Sequence, residues 1–355
     1  MSKSESSKPH LRRTLKTGRK ALSLSPDALI EASHPGRDGM APLMLRPRME
    51  GLDVVEWARL NLDFIERELL AHGAILFRDF AIESVDKFEQ LAKAISPDLV
   101  EYFERTVRRQ TIKEKIYTAS EYPADHPIPL HNEYSFAHEW PLKLWFYCAT
   151  PPSQGGATLI ADGRQVFNLI APRIREKFIQ KNVIYSRNYG DGLDLTWEEA
   201  FQTGERAQVE KYCSEANILF EWKDGNRLRT RQVRQAVANH VKTGEAVWFN
   251  QVHLFHVSSL EPTARQSLTS FFGAEALPRH AFYGDGSPIE PSDLAEIHEA
   301  YRQATVAVQW KQGDAMLLDN MLVAHGRAPF AGSRTILVTM AELITNQDFR
   351  RGGRQ

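Results

Sequence analysis

Short apolar runs bounded by polar or turn residues recur along the chain, and they constrain its fold more than any other feature. They are typical of buried β-strands and occupy residues 74–78, 140–147, 157–162, 246–250, 306–310, 315–318 and 335–340. Strands and helices do not alternate regularly here, as they would in a doubly wound parallel sheet. The sequence therefore predicts an antiparallel barrel or double sheet.

Amphipathic helices are predicted between some of these strands. Residues 53–72 carry apolar side chains on one helical stripe and charges opposite, and Gly73 is expected to end that helix. Ser84 is the predicted N-cap of a helix that reaches Ile95. Residues 166–181 are predicted as a further helix. No internal repeat or glycine-rich linker divides the chain, so we expect one main domain.

Composition and the chain ends predict that this domain has a tail at each side. The 355 residues are 42% apolar and 25% charged, which are ordinary values for a globular protein. Residues 1–44 begin with serines mixed with lysines and arginines, without the apolar stretch of a secretion signal. We predict a basic, flexible tail at 1–44, the main domain at 45–346 and a second tail at 347–355.

Charge and cysteine content narrow the partners and the compartment. The formal net charge is -1, which gives no overall field for nucleic acid or a membrane surface, so neither partner is expected. No apolar run reaches the roughly 18 residues that a membrane span needs. The two cysteines, Cys148 and Cys213, are too few for a disulfide framework. We therefore expect a reducing cytoplasm.

Two histidines and a carboxylate are the strongest functional signal. His131 and Glu133 stand two positions apart on a segment that Pro127 and Pro129 should keep extended, so both side chains would leave one strand face. A distant histidine, His325, follows a buried strand and a polar turn. Two neutral imidazoles and one carboxylate are the usual ligands of non-haem Fe(II), and they leave coordination positions open.

An arginine adds a second part to this predicted site. Arg334 follows His325 at a distance suited to a hairpin return, which would place its guanidinium beside the metal. A planar guanidinium suits the carboxylate of a co-substrate, because it donates two parallel hydrogen bonds. A surface ion pair is the alternative interpretation of Arg334.

The other histidines form no comparable set. His253 and His256 have helical spacing, but no carboxylate accompanies them on their short segment, so a structural role is expected. Seven further histidines lie in polar or loop contexts and are predicted to be surface residues: His10, His34, His72, His126, His240, His280 and His298.

Four runs of sequence, at residues 128–136, 140–141, 155–164 and 319–334, contain these motif residues in a specific joint pattern. Together they closely resemble the taurine dioxygenase family of Fe(II)- and 2-oxoglutarate-dependent oxygenases, nearest the branch related to syringomycin-biosynthesis hydroxylases. The resemblance covers residues 45–345. It implies a mainly β fold with peripheral helices around a double-stranded β-helix, or jelly-roll, core.

The resemblance also implies roles for individual residues. His131, Glu133 and His325 match the iron ligands. Arg334 matches the arginine that pairs with the distal carboxylate of 2-oxoglutarate, and Thr158 matches a hydroxyl that hydrogen-bonds the same group. Polar residues beside these segments are predicted to contact the substrate: Asn132, Tyr134, Ser135, Asn250 and Gln251.

Fe(II), 2-oxoglutarate and O2 are the cofactors that the resemblance implies, and the implied reaction is hydroxylation of an unactivated C–H bond. Halogenating relatives replace the carboxylate ligand with a small residue, so Glu133 favours oxygenation. Desaturation and ring closure stay open, because the same oxidant starts them. A metal-binding β-barrel without turnover is the non-enzymatic alternative.

The expected substrate is a small amino-acid-like molecule of natural-product biosynthesis. The substrate could be the free molecule or one tethered to a peptidyl carrier protein, and both alternatives stay open. A homo-oligomer of the enzyme also stays open. Four arginines are candidates to bind the substrate carboxylate or a phosphopantetheine arm: Arg227, Arg229, Arg231 and Arg234. The alternative interpretation is that these side chains are simply exposed to solvent.

Overall fold

The computed structural model describes residues 26–34, 42–119, 122–190 and 192–345. In this part of the chain the α-helices are α1 Pro26–Leu29, α2 Val54–Leu60, α3 Leu62–His72, α4 Val85–Ile95, α5 Gly163–Leu169, α6 Pro172–Lys181, α7 Trp197–Phe201, α8 Arg206–Glu215, α9 Val252–Phe255, α10 Pro262–Phe272 and α11 Pro291–Ala304. Two short 3-10 helices are Val257–Ser259 and Ala274–Ala276.

The strands of the described chain outnumber its helices. They are β1 Ile30–Ser33, β2 Leu43–Pro47, β3 Ala74–Phe77, β4 Leu99–Val100, β5 Thr111–Lys113, β6 Ile116–Thr118, β7 Ile128–His131, β8 Glu139–Thr150, β9 Gln154–Gly155, β10 Thr158–Asp162, β11 Val183–Tyr189, β12 Leu219–Lys223, β13 Arg227–Arg234, β14 Val237–Asn239, β15 Ala246–Trp248, β16 Arg279–Tyr283, β17 Thr305–Val308, β18 Ala315–Asp319, β19 Val323–Arg327, β20 Phe330–Ala331 and β21 Thr335–Thr345.

Two sheets make the centre of the molecule. The major sheet has the strand order β1-β2-β3-β18-β8-β21-β6-β5, with β4 also paired to β21. The minor sheet has the order β17-β10-β19-β7. One face of the major sheet packs on the minor sheet, because Leu144, Phe146 and Met316 share a buried cluster with Ile160 and Val323. These are two facing sheets, and they do not close into a barrel within the described chain.

The other face of the major sheet is covered by helices. Trp145 and Leu317 alternate along β8 and β18 with the residues of the first core, since side chains of a strand point to opposite faces in turn. Their cluster includes Trp57 of α2, Ile65 of α3 and Phe88 of α4. Both faces of β8 and β18 are therefore buried, which explains why these strands are apolar runs and not alternating patterns.

A third sheet, with the order β12-β13-β11-β16, lies beside the two central sheets. Helices α7 and α8 pack against it through a separate small core that includes Trp197, Val209 and Leu228. The sequence pattern in this region indicates only two short β-like runs, around Ile218 and Arg229. None of the described helices is both long and apolar enough to cross a membrane.

Two predicted helices are wrong in length, for local reasons. Residues 53–72 form two helices that meet at Asn61, whose side-chain amide donates to the Trp57 carbonyl at 2.7 Å. Leu62, which would lie on the buried stripe of one continuous helix over 53–72, is 43% exposed. Residues 166–181 likewise divide before Pro172, because proline lacks an N–H and disfavours a helical residue before it.

The helix ends at Gly73 and Ser84 are confirmed. Gly73 adopts a left-handed conformation with φ 70°, and its N–H donates to the Leu69 carbonyl. The Ser84 side chain accepts a hydrogen bond from the Lys87 N–H.

The predicted domain boundaries stay a prediction. Most of residues 1–44 and all of 347–355, the predicted tails, lie outside the described residues. Within 1–44, β1 pairs with β2 in antiparallel register.

Candidate metal centre and co-substrate pocket

His131 and His325 are opposite each other on neighbouring strands of the minor sheet. β7 ends at His131, and the antiparallel register with β19 pairs it with His325. Their ring centroids lie 4.5 Å apart. Glu133 follows in a turn, with its Oε2 3.9 Å from Nε2 of His131 and 4.0 Å from Nε2 of His325. The three ligand atoms lie within 4.8 Å of one another, the one such group of three or more in the described chain.

A hydrogen bond orients the His131 imidazole, and burial affects the pKa of the His325 imidazole. Nδ1 of His131 lies 2.9 Å from the Pro129 carbonyl, so it donates a proton there and leaves the Nε2 lone pair for a ligand. Burial lowers the pKa of His325 well below its ordinary value, and His131 and Arg109 act in the same direction. A neutral imidazole at physiological pH is the form that coordinates a divalent ion.

The turn that carries Glu133 is held by Asn320, a residue that sequence reasoning missed. The side-chain oxygen of Asn320 accepts from the Glu133 N–H at 2.8 Å, and its amide donates to the Glu133 and Pro141 carbonyls, each at 2.9 Å. Asn132 in turn donates to the Asn320 carbonyl at 2.7 Å. These bonds tie the two arms of the triad together across the sequence, and they hold the backbone of Glu133 without using its carboxylate.

A buried pair, His240 and Asp319, holds the turn that contains Asn320, and two histidines that were predicted at the surface are buried. His240 was expected at the surface, but it is 1% exposed. Because its Nδ1 accepts from the Thr243 N–H, its Nε2 donates to Asp319 at 2.9 Å. The other oxygen of Asp319 accepts from the N–H groups of Met321 and Leu322. His280, also predicted at the surface, is 6% exposed.

Replacing Asn320 with alanine is expected to weaken Fe(II) binding by about 10–100-fold, the usual loss when a residue that orients a metal ligand is removed. The change leaves buried polar groups of Glu133 without partners. Anaerobic titration with Fe(II) measures the effect, and circular dichroism checks that the variant folds. An unchanged iron affinity in a folded variant would show that Asn320 does not position the ligand.

Gly326 permits the close approach of β19 to β7. A Cβ at this position would lie 2.5 Å from the Ile128 carbonyl oxygen and 3.1 Å from the Leu130 nitrogen. Both contacts are with backbone, which cannot rotate away, so a side chain would push the two strands apart at the pair His131 and His325.

Gly326→Ala is therefore expected to lower the free energy of unfolding by about 1–3 kcal/mol, as overpacking does. Gly204→Ala is the matched control, because a Cβ there meets no atom within 4 Å, and its effect should stay within about 0.5 kcal/mol. Urea unfolding of the two variants compares them. Equal stabilities would mean that the strands accommodate the methyl group.

The two histidines of the triad share a cavity with Arg334 and Thr158. The cavity lining includes His131, His325, Thr158, Arg327 and Arg334. Nε of Arg334 donates to the Gly156 carbonyl at 3.2 Å, and no carboxylate of the described residues pairs with this guanidinium. Burial lowers the pKa of Arg334 to about 10, and neighbouring Arg327 acts in the same direction. Arg334 is thus still charged at neutral pH, and it lacks a counterion.

Thr158 is placed to serve the same ligand. Its Oγ1 accepts a hydrogen bond from the Trp310 indole N–H at 2.9 Å. A hydroxyl has one donor besides its acceptor lone pairs. The Thr158 O–H can therefore donate to a carboxylate that Arg334 binds.

Two other arginines of the cavity were not singled out by the sequence analysis. Arg327 donates to the carbonyls of Tyr122, Pro123 and His126. Arg109 approaches Glu133 at 3.4 Å. Arg327 was visible only as part of the motif beside His325, and Arg109 had no sequence signal, because it lies in a segment without apolar periodicity.

The five predicted substrate contacts sit behind the triad. Among the described residues that line the cavity, none of them appears. Ser135 donates to the Asn132 carbonyl, and Gln251 donates to the same carbonyl at 2.7 Å. Asn250 donates to a backbone carbonyl, and the Tyr134 hydroxyl accepts from a backbone N–H. All five are buried, so these contacts indicate a supporting framework around the turn.

The four candidate arginines of β13 likewise lie away from this cavity lining. Arg229 and Arg231 both contact Glu275. Arg234 is buried and donates to the Ala216 carbonyl at 2.8 Å and to the Gln232 side chain at 2.6 Å.

A larger cavity, of about 540 Å³ against about 40 Å³ beside the triad, is lined partly by Asp162, Arg164 and Glu245. Its arginine is already paired with both acids. The candidate site is therefore identified by its metal-ligating and charged residues and not by the volume of its cavity.

Comparison with known proteins gives the family of the chain. Residues 39–340 match the family model "Taurine catabolism dioxygenase TauD, TfdA family". The chain belongs to this family. It is 40% identical over 280 residues to the dapdiamide synthesis protein DdaC of Enterobacter agglomerans, covering 79% of this chain and 85% of that protein. It is 28% identical over 293 residues to a clavaminate synthase-like protein of Arabidopsis thaliana, covering 79% and 84%.

Two solved structures have a similar fold. PvcB of Pseudomonas aeruginosa, described as an Fe, alpha-ketoglutarate dependent oxygenase, aligns with a TM-score of 0.54 at 17% identity over 92% of this chain and 96% of that one. AAD-2, solved with Mn(II) and N-oxalylglycine, aligns with a TM-score of 0.51 at 12% identity over 88% and 96%. The predicted family and jelly-roll fold are confirmed, and the chain is an Fe(II)- and 2-oxoglutarate-dependent dioxygenase.

Proposed function

We propose that His131, Glu133 and His325 bind the catalytic Fe(II), and that Arg334 with Thr158 binds the distal carboxylate of 2-oxoglutarate. One observation carries the proposal: the three metal-ligand atoms converge beside a cavity that also holds a guanidinium with no carboxylate partner in the described part of the chain. A buried unpaired cation is costly, so it indicates an anionic ligand. Two imidazoles and a carboxylate are the donor set that non-haem iron prefers.

When bound, iron and 2-oxoglutarate supply the oxidising chemistry, while the protein supplies orientation and a dry pocket. Asn320 keeps the Glu133 backbone fixed, so the carboxylate needs no rearrangement to meet the metal. Apolar side chains of Ile128, Phe146 and Ile336 line the same cavity and exclude water from it.

The proposed reaction is hydroxylation of an unactivated C–H bond in a small amino-acid-like molecule of natural-product biosynthesis. The relative at 40% identity is named for dapdiamide synthesis, which supports a biosynthetic role. Glu133 fills the ligand position that a halogenase would leave to chloride, which supports oxygenation. Desaturation or ring closure would use the same site, and a cytoplasmic location remains a prediction from composition.

A substrate screen under labelled oxygen tests this function. The iron-loaded enzyme is given 2-oxoglutarate, ¹⁸O₂ and either free L-amino acids or the same amino acids loaded on a peptidyl carrier protein. We expect succinate formation coupled to a product that is heavier by one labelled oxygen atom. A chlorinated product at high chloride would contradict the ligand role of Glu133. Succinate formation that none of these compounds stimulates would contradict the substrate class.

A further inference from the structure

The cavity beside the triad carries more positive charge than 2-oxoglutarate can neutralise. Among its described lining residues are three guanidiniums, those of Arg109, Arg327 and Arg334, and no carboxylate. Glu133, which contacts Arg109, is the adjacent acid. With the cofactors of the proposed function bound, three arginines and Fe(II) contribute five positive charges. Glu133 and the 2-oxoglutarate dianion contribute three negative charges, so two positive charges remain.

Arg109 is the guanidinium best able to take a further anion. Its side chain is only 5% exposed, and its guanidinium lies over the Tyr102 ring at 4.5 Å from the centroid. Its polar contacts are long: 3.4 Å to the Glu133 carboxylate and 3.5 Å to the Thr118 carbonyl. Charge-assisted hydrogen bonds are normally well below 3 Å. The N–H groups of Arg109 thus lie near the proposed metal position, and they make no short hydrogen bond there.

The other two arginines are committed elsewhere. Arg327 directs its terminal nitrogens at three backbone carbonyls, at 2.6–3.1 Å. Arg334 faces the co-substrate end of the cavity beside Thr158 in the proposed function. Arg109 instead contacts Glu133, a proposed metal ligand. It therefore lies beside the metal position and not beside the distal carboxylate of 2-oxoglutarate.

We propose that Arg109 binds a carboxylate of the substrate. The enzyme then takes a molecule with a free carboxylate, because a substrate whose only carboxyl group is tethered to a carrier would offer Arg109 no anion beyond Glu133. This inference rests on the proposed function and adds a substrate class to it. A planar, bidentate carboxylate is the anion that a stacked guanidinium recognises best.

Acetate and its neutral isostere acetamide are the probes. The anaerobic Fe(II)–2-oxoglutarate complex of the wild-type protein is titrated with each, and the charge-transfer absorption of the chelate is followed. We expect a saturable change with acetate and none with acetamide. Arg109→Gln should weaken the acetate response about tenfold or more, and Arg109→Lys, which keeps the charge, should weaken it less. Arg108→Gln is the matched control, because that side chain is 69% exposed and pairs with Glu199.

The outcomes separate the two proposals. If the wild-type protein gives no charge-transfer band, the proposed function fails, and the inference falls with it. If the band forms but acetate leaves it unchanged, the inference alone is overturned. A response that Arg109→Gln retains would mean that acetate binds the iron itself, and an equal response to acetamide would mean that charge is not recognised. Both results overturn the role of Arg109, and band formation in Arg109→Gln shows that the variant still holds iron.

Discussion

Replacing His325 with alanine is expected to abolish turnover and to remove high-affinity iron binding. The loss of Fe(II) affinity should exceed the roughly 10–100-fold effect of removing a residue that only orients a ligand, because the metal loses one of its three protein ligands. His131→Ala should behave in the same way, since the two imidazoles occupy paired positions on β7 and β19. Anaerobic Fe(II) titration and succinate formation give the two readouts.

The control for this prediction is His34→Ala, which removes an exposed imidazole whose ring contact is with His72. It should leave iron binding and turnover unchanged. The metal-free His325→Ala protein should keep the wild-type circular dichroism spectrum, because the lost side chain points toward a cavity. Full turnover by either triad variant would show that the ligands are misassigned.

Arg334→Ala is expected to raise the 2-oxoglutarate concentration needed for half-maximal turnover by about ten- to a hundredfold, while Fe(II) affinity changes little. A charge-assisted hydrogen-bonded pair contributes roughly 1.5–3 kcal/mol, and tenfold in affinity corresponds to about 1.4 kcal/mol. The variant removes the guanidinium that finds no carboxylate within the described chain. Arg334→Lys should recover only part of the loss, because an ammonium cannot make the planar bidentate contact.

Arg302→Ala supplies the control for Arg334, since Arg302 is 73% exposed and pairs with Glu299 on its own helix. It should leave the 2-oxoglutarate requirement unaltered. The opposite pattern for Arg334→Ala, lost iron binding with normal 2-oxoglutarate affinity, would overturn the assigned role.

Local sequence patterns predicted the central strands and the three candidate ligands, although Glu133 lies in a turn and not on the extended segment that was expected. β8 and β18 are buried on both faces, so they appear as apolar runs in the sequence. His131 and Glu133 are close in sequence, and the buried strand and polar turn before His325 indicated the position of the second segment. The family resemblance then joined the two arms, which periodicity alone could not do.

The contacts that hold the site were not visible in the sequence, because they join distant segments. Asn320 was recognised only as part of a polar turn, although its side chain bonds the backbone of Glu133, 187 positions away. His240 looked like a surface residue because its polar neighbours hide its burial beside Asp319. The interruption of the helix at Asn61 depends on a side-chain contact with Trp57 that helical periodicity does not report.

The framework role of the buried polar residues has the same origin. Asn132 and Gln251 looked like substrate contacts because polar residues beside a metal motif commonly face a ligand. In the structure their amides donate to backbone carbonyls at 2.7 Å. These two amide N–H groups are thus used within the protein, whereas the buried Oδ1 of Asn132 has no hydrogen-bond partner among the described residues.

A crystal structure of the protein with Mn(II) and N-oxalylglycine, an unreactive analogue of 2-oxoglutarate, would test the central claim most directly. We expect the metal to be bound by Nε2 of His131, Nε2 of His325 and the Glu133 carboxylate, and the distal carboxylate of the analogue to lie on Arg334 and Thr158. A metal bound elsewhere, or an analogue whose distal carboxylate avoids Arg334, would contradict the account.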